Sequence, residues 1–204
     1  MNAKICGITN KQAALCAVEH GAKAIGFVFA ESKRKISPEG AKEIISILPE
    51  TVWKVGVFVN ESKEKIDEIV KQSGINVIQL HGDESKEFAS QFALPVIKAF
   101  SIQTEEDLLM AADFSSDYVL LDSPREKYYG GNGKSFDWNI VKNFDFRGKK
   151  VILAGGLHQD NVEDALEMVN PYMVDVSSGV ETDGKKDLQK IQAFLTKLTV
   201  HNEQ

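Results

Sequence analysis

Short apolar segments alternate with longer amphipathic segments along the whole chain. Two of the apolar segments, at 24–29 and 55–59, contain only apolar residues and glycine, which is typical of parallel strands covered on both faces. The pattern predicts eight strands, at residues 3–8, 22–29, 52–59, 75–80, 94–100, 117–122, 149–154 and 172–177. The amphipathic segments between these strands are predicted to be helices.

Polar residues mark the starts of several of these helices. Thr9 followed by Gln12 fits a capping box, and residues 37–39 (Ser-Pro-Glu) supply a cap, a first-turn proline and an acidic residue in order. Thr104 precedes three acidic residues, which favour the positive end of a helix dipole. After the sixth strand the pattern predicts a helix over residues 137–143. The buried stripe of the last helix is predicted to consist of Leu188, Ile191, Leu195 and Leu198.

Eight strand–helix pairs in one chain predict a (β/α)8 TIM barrel. The class is α/β, and we expect residues 1–204 to form a single domain, compact for a fold that typically has about 250 residues. A doubly wound open sheet is the alternative, although that fold usually has fewer strands.

Composition and charge narrow the range of functions. Of the 204 residues, 43% are hydrophobic, and the net charge is −6 with scattered lysines and arginines, so we expect no nucleic-acid partner. No apolar segment reaches the ~20 residues of a membrane span, and we expect no membrane association. Two cysteines without partners at metal-ligand spacing suit a reducing cytoplasm, and we expect no disulfide and no metal site.

Polar side chains follow several predicted strands, where barrel active sites lie. Cys6, His81 and Asp122 occupy such positions, and Arg34 lies in a loop. Cys6 and Asp122 together suggest a base and an acid for proton transfer. The structural alternatives are that Cys6 is a small buried residue and that Asp122 caps a turn. Cys16, on an alanine-rich helix, fits the buried alternative better.

Two glycine-containing strand ends predict a phosphate site. Gly155 and Gly156 follow the seventh strand, and Ser178 and Gly179 follow the eighth. Barrel enzymes commonly bind phosphate at these two positions through backbone N–H groups. We therefore expect a small, phosphorylated substrate. A glycine-rich loop at residues 128–133 is expected to act as a mobile lid.

Nine segments in order resemble the phosphoribosylanthranilate isomerase family, over residues 4 to about 194. One departure is Asn132, where that family usually has threonine. The segments are 4–9 (KICGIT), 26–29 (GFVF), 32–37 (SKRKIS), 55–60 (VGVFVN), 79–84 (QLHGDE), 120–123 (LLDS), 130–138 (GGNGKSFDW), 153–157 (LAGGL) and 174–181 (VDVSSGVE).

The resemblance implies a cofactor-free Amadori rearrangement in tryptophan biosynthesis. It implies Cys6 as general base, Asp122 as general acid and Arg34 as the ligand of the anthranilate carboxylate, and we expect His81 to contact the substrate. The phosphate would bind at Gly155, Gly156, Ser178 and Gly179. A thiolate base requires the site to lower the ordinary pKa of cysteine, about 8.5. We expect a monomer or a homodimer.

Two rival interpretations remain open at this point. One is a related phosphosugar isomerase of the histidine-pathway type, although such barrels generally use two carboxylates and the first strand here ends in cysteine. The other is a phosphate-binding barrel without turnover, which would not need the pair Cys6 and Asp122.

Overall fold

A computed structural model describes residues 1–124 and 136–201, and within them eight parallel strands form a closed barrel. Each strand pairs with the next along the chain, and the first pairs with the eighth. The predicted (β/α)8 barrel is therefore confirmed, and the open sheet is excluded. The strands are β1 Asn2–Cys6, β2 Ala24–Val28, β3 Trp53–Phe58, β4 Val77–Leu80, β5 Val96–Ser101, β6 Tyr118–Asp122, β7 Lys150–Leu153 and β8 Met173–Val176.

Helices cover the outside of the barrel, and a short hairpin follows the last strand. The helices are α1 Lys11–Glu19, α2 Pro38–Ile45, α3 Lys63–Ser73, α4 Lys86–Ala89, α5 Glu105–Asp113, α6 Val162–Val169 and α7 Leu188–His201. Two 3₁₀ turns occur at Trp138–Ile140 and Ser178–Val180, and the hairpin consists of β9 Glu181–Thr182 and β10 Lys185–Lys186. The predicted lid at 128–133, with Asn132, lies outside the described residues and stays a prediction.

The side chains inside the barrel form a small core of their own. Its amino-terminal end is closed by Trp53, Tyr118 and Tyr172, whose rings contact one another edge-on or tilted, with centroids 5.1 and 5.8 Å apart. A larger apolar layer lies between the strands and the helices. This filled interior leaves the carboxyl ends of the strands as the place for a ligand. The inner core consists of Ala24, Val55, Val77, Ile97, Ala99, Leu120, Ile152, Ala154 and Met173.

Some local predictions hold and others need correction. Ser37 caps α2, with Pro38 as its first residue, and Asp107 accepts a hydrogen bond from the backbone N–H of Thr104. The Thr9 capping box is wrong, because Asn10 caps α1 by accepting from the N–H of Ala13.

Two predicted helical features are shorter than expected. The helix expected over 137–143 is only a 3₁₀ turn, which Asp137 caps through the N–H of Asn139. The buried stripe of α7 contains Ile191, Leu195 and Leu198 together with Phe194, whereas Leu188 is 42% exposed. Leu188 is the first residue of the helix, and the buried stripe begins one turn later.

Candidate active site

A cavity of about 380 Å³ opens at the carboxyl ends of the barrel strands. Seven of the eight predicted site residues line it, from β1, the loop after β2, and the ends of β4, β6, β7 and β8. Gly179 is the exception. The seven are Cys6, Arg34, His81, Asp122, Gly155, Gly156 and Ser178.

Cys6 is the last residue of β1 and is buried, 8% exposed. Gly26 on β2 makes room for it: a Cβ atom there would lie 2.8 Å from the Cys6 sulfur and 3.2 Å from Cε of Lys4. Burial raises the pKa of the Cys6 thiol, and Asp175 adds to this, while Lys4 and Lys186 oppose it. The expected lowering of this pKa is therefore wrong for the ligand-free site.

A buried ion pair lies next to this thiol. The Lys4 ammonium donates a hydrogen bond to Oδ2 of Asp175 at 2.8 Å, and the two side chains are 0% and 8% exposed. Burial on its own lowers the pKa of Lys4, but Asp175 and Cys6 raise it above its ordinary value. Oδ1 of Asp175 has no hydrogen-bond partner among the described residues, and Asp175 lines the cavity.

Asp122 ends β6 and is held from two sides. Its Oδ1 accepts the backbone N–H of Ser123 at 2.8 Å, and its Oδ2 lies 3.3 Å from Nε2 of His81. Nδ1 of His81 lies 2.9 Å from the amide nitrogen of Gln79, which can only donate. This geometry assigns the ring proton to Nε2, facing the carboxylate. His81 therefore orients Asp122 as well as lining the cavity.

Arg34 forms a two-pronged contact with Glu181, at the start of β9. Nε and Nη2 of the guanidinium donate to the two carboxylate oxygens, each at 2.7 Å. Burial alone would raise the pKa of Glu181, but Arg34 and Lys186 hold it below its ordinary value. Planar, bidentate pairing of this kind fixes the orientation of a guanidinium. These two hydrogen bonds do not involve Nη1 of Arg34.

The two glycine turns meet above the barrel. Gly155 and Gly156 both have positive φ, +80° and +66°, and the turn Ser178–Val180 lies beside them. A Cβ atom on Gly179 would lie 1.9 Å from the carbonyl oxygen of Leu157. Gly179 therefore allows the two turns to approach, while Ser178 faces the cavity.

Sequence reasoning missed four polar residues of this region: Gln79, Asp175, Glu181 and Lys186. Asp175 could have been found as a charged residue inside the apolar segment 173–176. The burial of Lys186 could not be predicted, because residues 183–186 (Asp-Gly-Lys-Lys) have the sequence of an exposed polar turn. Within residues 1–124 and 136–201, no three histidine, cysteine, aspartate or glutamate side chains are grouped as a metal ion requires.

A closed parallel barrel whose carboxyl-terminal cavity is lined by a thiol and a carboxyl group is typical of TIM-barrel enzymes. The family profile described as N-(5'phosphoribosyl)anthranilate (PRA) isomerase matches residues 3–197. The chain is 54% identical over 199 residues to the N-(5'-phosphoribosyl)anthranilate isomerase of Bacillus cereus strain G9842, covering 97% of each chain.

Solved structures of similar proteins agree with this match. One is the phosphoribosyl anthranilate isomerase of Thermotoga maritima, with a TM-score of 0.91 and 42% identity over 98% of this chain and 99% of that one. Another is a phosphoribosyl anthranilate isomerase in complex with reduced 1-(o-carboxyphenylamino)-1-deoxyribulose 5-phosphate, with a TM-score of 0.87, 41% identity and 98% and 99% coverage. The chain belongs to the N-(5'-phosphoribosyl)anthranilate isomerase family, and the isomerase function inferred from its sequence is confirmed.

Proposed function

We propose that Cys6 and Asp122 are the base and the acid with which this enzyme converts N-(5'-phosphoribosyl)anthranilate to 1-(2-carboxyphenylamino)-1-deoxyribulose 5-phosphate. The observation that carries the proposal is that a thiol from β1 and a carboxyl group from β6 line one cavity. These two strands lie on different sides of the barrel. A sugar bound in the cavity can therefore meet an acid and a base at the same time.

In the proposed reaction Asp122 donates one proton and Cys6 accepts another. Protonated Asp122 donates to the ring oxygen of the furanose, and the ring opens to a cationic Schiff base. The Cys6 thiolate then removes the proton from C2′, which gives an enolamine. This intermediate becomes the ketone when C1′ gains a proton and the 2′ hydroxyl loses one. General acid–base catalysis of this kind contributes about 10²–10⁴-fold for each group.

The positive charge of the Schiff base favours the thiolate form of Cys6, which the ligand-free site disfavours. Burial keeps Cys6 as a thiol before substrate binds. A positive charge close to a thiol favours loss of the thiol proton to solvent, which leaves the thiolate. Cys6 is therefore activated as a base when the Schiff base forms, and the Lys4 ammonium also stabilises the negative charge of the thiolate.

The remaining groups suit the other parts of the substrate. Nη1 of Arg34 is assigned to the anthranilate carboxylate, and the side chain of Asp175, a residue that lines the cavity, to a ribose hydroxyl. The phosphate is assigned to the turns of Gly155–Gly156 and Ser178–Gly179. Backbone N–H groups bind anions without added positive charge, which fits a chain with a net charge of −6.

The reaction as assigned requires no cofactor, and we place the enzyme in the cytoplasm as a monomer or homodimer. Among the described residues, no helix is both long and apolar enough to cross a membrane. Analytical ultracentrifugation of the purified protein distinguishes the two oligomeric states.

The test follows the loss of phosphoribosylanthranilate fluorescence with Asp122→Asn, Arg34→Met and the control Lys33→Met. Asp122→Asn should lose kcat by about 10²-fold or more, because the amide cannot donate the proton. Arg34→Met should mainly raise KM, since a charged hydrogen bond is lost. Lys33 is exposed in the same loop, and its variant should retain both constants. A parental KM in Arg34→Met would show that another group binds the carboxylate.

A separate activity assay with the histidine-pathway aminoaldose as substrate tests the rival isomerase. Turnover of that substrate alone would replace the proposed reaction.

A further inference from the structure

Lys186, on the second strand of the hairpin that follows β8, is buried although its sequence context is polar. Its side chain is 2% exposed, less than that of Glu181 at 6% or Arg34 at 20%. It does not line the cavity that contains Cys6. Burying a lysine in this way costs free energy unless its charge is paired and hydrogen-bonded. The contacts of Lys186 therefore indicate its role.

Those contacts join three parts of the site. Nζ of Lys186 donates to the carbonyl oxygen of Ser177 at 2.9 Å and also binds the Glu181 carboxylate. The hydroxyl group of Ser177 donates to the carbonyl oxygen of Cys6 at 3.2 Å. Glu181 in turn accepts hydrogen bonds from two of the three donor nitrogens of Arg34, Nε and Nη2. One ammonium group therefore links the end of β1, the beginning of the turn after β8 and the loop arginine.

The charges around Cys6 come from several elements. Lys4 lies on β1, Asp175 on β8, Arg34 in the loop after β2, and Glu181 and Lys186 in the hairpin. Across the cavity lie Asp122 and His81. The five groups on the Cys6 side comprise three cations and two anions, an excess of one positive charge. Without Lys186 this excess disappears.

We propose that Lys186 is a positioning residue that fixes Glu181 and Arg34 from behind the cavity wall and whose charge favours the thiolate form of Cys6. The proposal rests on the proposed role of Cys6 for its catalytic meaning, and on geometry for the links of Lys186 through Ser177 to the end of β1 and through Glu181 to Arg34. Lys186 opposes the effect of burial on the pKa of Cys6. Burial lowers the pKa of Lys186 itself, and Glu181 and Cys6 act against this.

The experiment measures Cys6 directly. In a Cys16→Ser background Cys6 is the only thiol of the chain, and its alkylation by iodoacetamide as a function of pH, followed by mass spectrometry, reports its thiolate fraction. Lys186→Met should slow alkylation at a fixed pH below the thiol pKa by about threefold to tenfold, because one pKa unit is tenfold in thiolate. Lys186→Arg should restore most of the rate.

Two further variants make the result decisive. Lys185→Met, exposed on the same strand, is the matched control and should stay within about twofold of the parent rate. Glu181→Gln removes an anion from the cluster and should speed alkylation. If Lys186→Met does not fold, as judged by circular dichroism, the opposite shift in Glu181→Gln carries the test.

Rates for Lys186→Met and Glu181→Gln that equal the Lys185→Met rate would overturn the proposal. Shifted alkylation with an unchanged pH profile of kcat/KM would instead refute Cys6 as the base and leave the charge effect of Lys186 intact.

Discussion

The two cysteines differ in the surroundings of their sulfur atoms. Cys6 is buried beside Lys4 and faces the cavity, whereas Cys16 on α1 is half-buried, its sulfur 3.6 Å from the carbonyl oxygen of Leu188. The fully buried environment expected for Cys16 is therefore not observed. Cys6→Ser should lower kcat by about 10²–10⁴-fold, because a hydroxyl group is a far poorer base near neutral pH. Cys16→Ser should retain kcat and KM in the same fluorescence assay, and equal losses in both variants would contradict the assignment.

The raised pKa of Cys6 has a consequence for the pH dependence of its alkylation. Only the thiolate form reacts with an alkylating agent, and burial raises the pKa of this thiol. Cys6 is thus protonated at neutral pH, so its alkylation by iodoacetamide in a Cys16→Ser background should speed up with pH, by up to about tenfold per unit, until the pH passes a value above the ordinary ~8.5 of cysteine. Mass spectrometry of samples alkylated over that range measures the rise. A profile that is flat from neutral pH upward would contradict it.

At the scale of elements, the approach of two turns depends on Gly179. A methyl group there would lie 1.9 Å from the Leu157 carbonyl oxygen, so Gly179→Ala should push the turn Ser178–Val180 away from Gly155 and Gly156. If the turns bind the phosphate as proposed, losing one hydrogen bond to this charged group costs about 1.5–3 kcal/mol, which is about tenfold or more in KM.

A second glycine separates this effect from a general loss of stability. Gly148 has a φ of +80°, and among the described residues other than its two chain neighbours none has an atom within 4 Å of an added Cβ. Gly148→Ala should therefore lower stability by about 1–2 kcal/mol through backbone strain while KM stays unchanged. KM and the thermal midpoint of both variants give the comparison. A raised KM in Gly148→Ala alone would refute this account of the turns.

The elements themselves were largely predictable because their signals are local. Each of the eight strands lies within two residues of its predicted bounds, since buried parallel strands are continuous apolar segments. Cys6 and Asp122 were visible because each directly ends such a segment. The contact of Arg34 with Glu181 was not predictable, because the residues are 147 positions apart and meet only once the barrel closes. The cap of α1 was predicted at Thr9 and lies at Asn10. Both residue types favour the cap position, so the local sequence alone does not distinguish them.

At the scale of the whole molecule, one ion pair spans the closure of the barrel. Lys4 on β1 and Asp175 on β8 are 171 positions apart and both buried. Asp175→Asn leaves the lysine charge without its counterion, and this should lower the free energy of unfolding by about 3–5 kcal/mol. Glu163→Gln breaks the half-exposed pair of Glu163 and Lys197 and should cost at most about 1 kcal/mol. Urea denaturation of both variants measures the difference, and equal losses would contradict the role of burial.

The pairing of β1 with β8 also determines when the enzyme becomes active during folding. Helices form locally within about a microsecond, whereas contacts between distant parts of a chain form later and more slowly. The carbonyl oxygen of Cys6 accepts a hydrogen bond from Ser177 across this pairing, so a chain with just its helices and first strands in place has not yet positioned Cys6, the proposed base. During refolding from denaturant, recovery of turnover should therefore lag behind recovery of the helical circular dichroism signal. The rate at which turnover recovers would then report the rate at which the barrel closes.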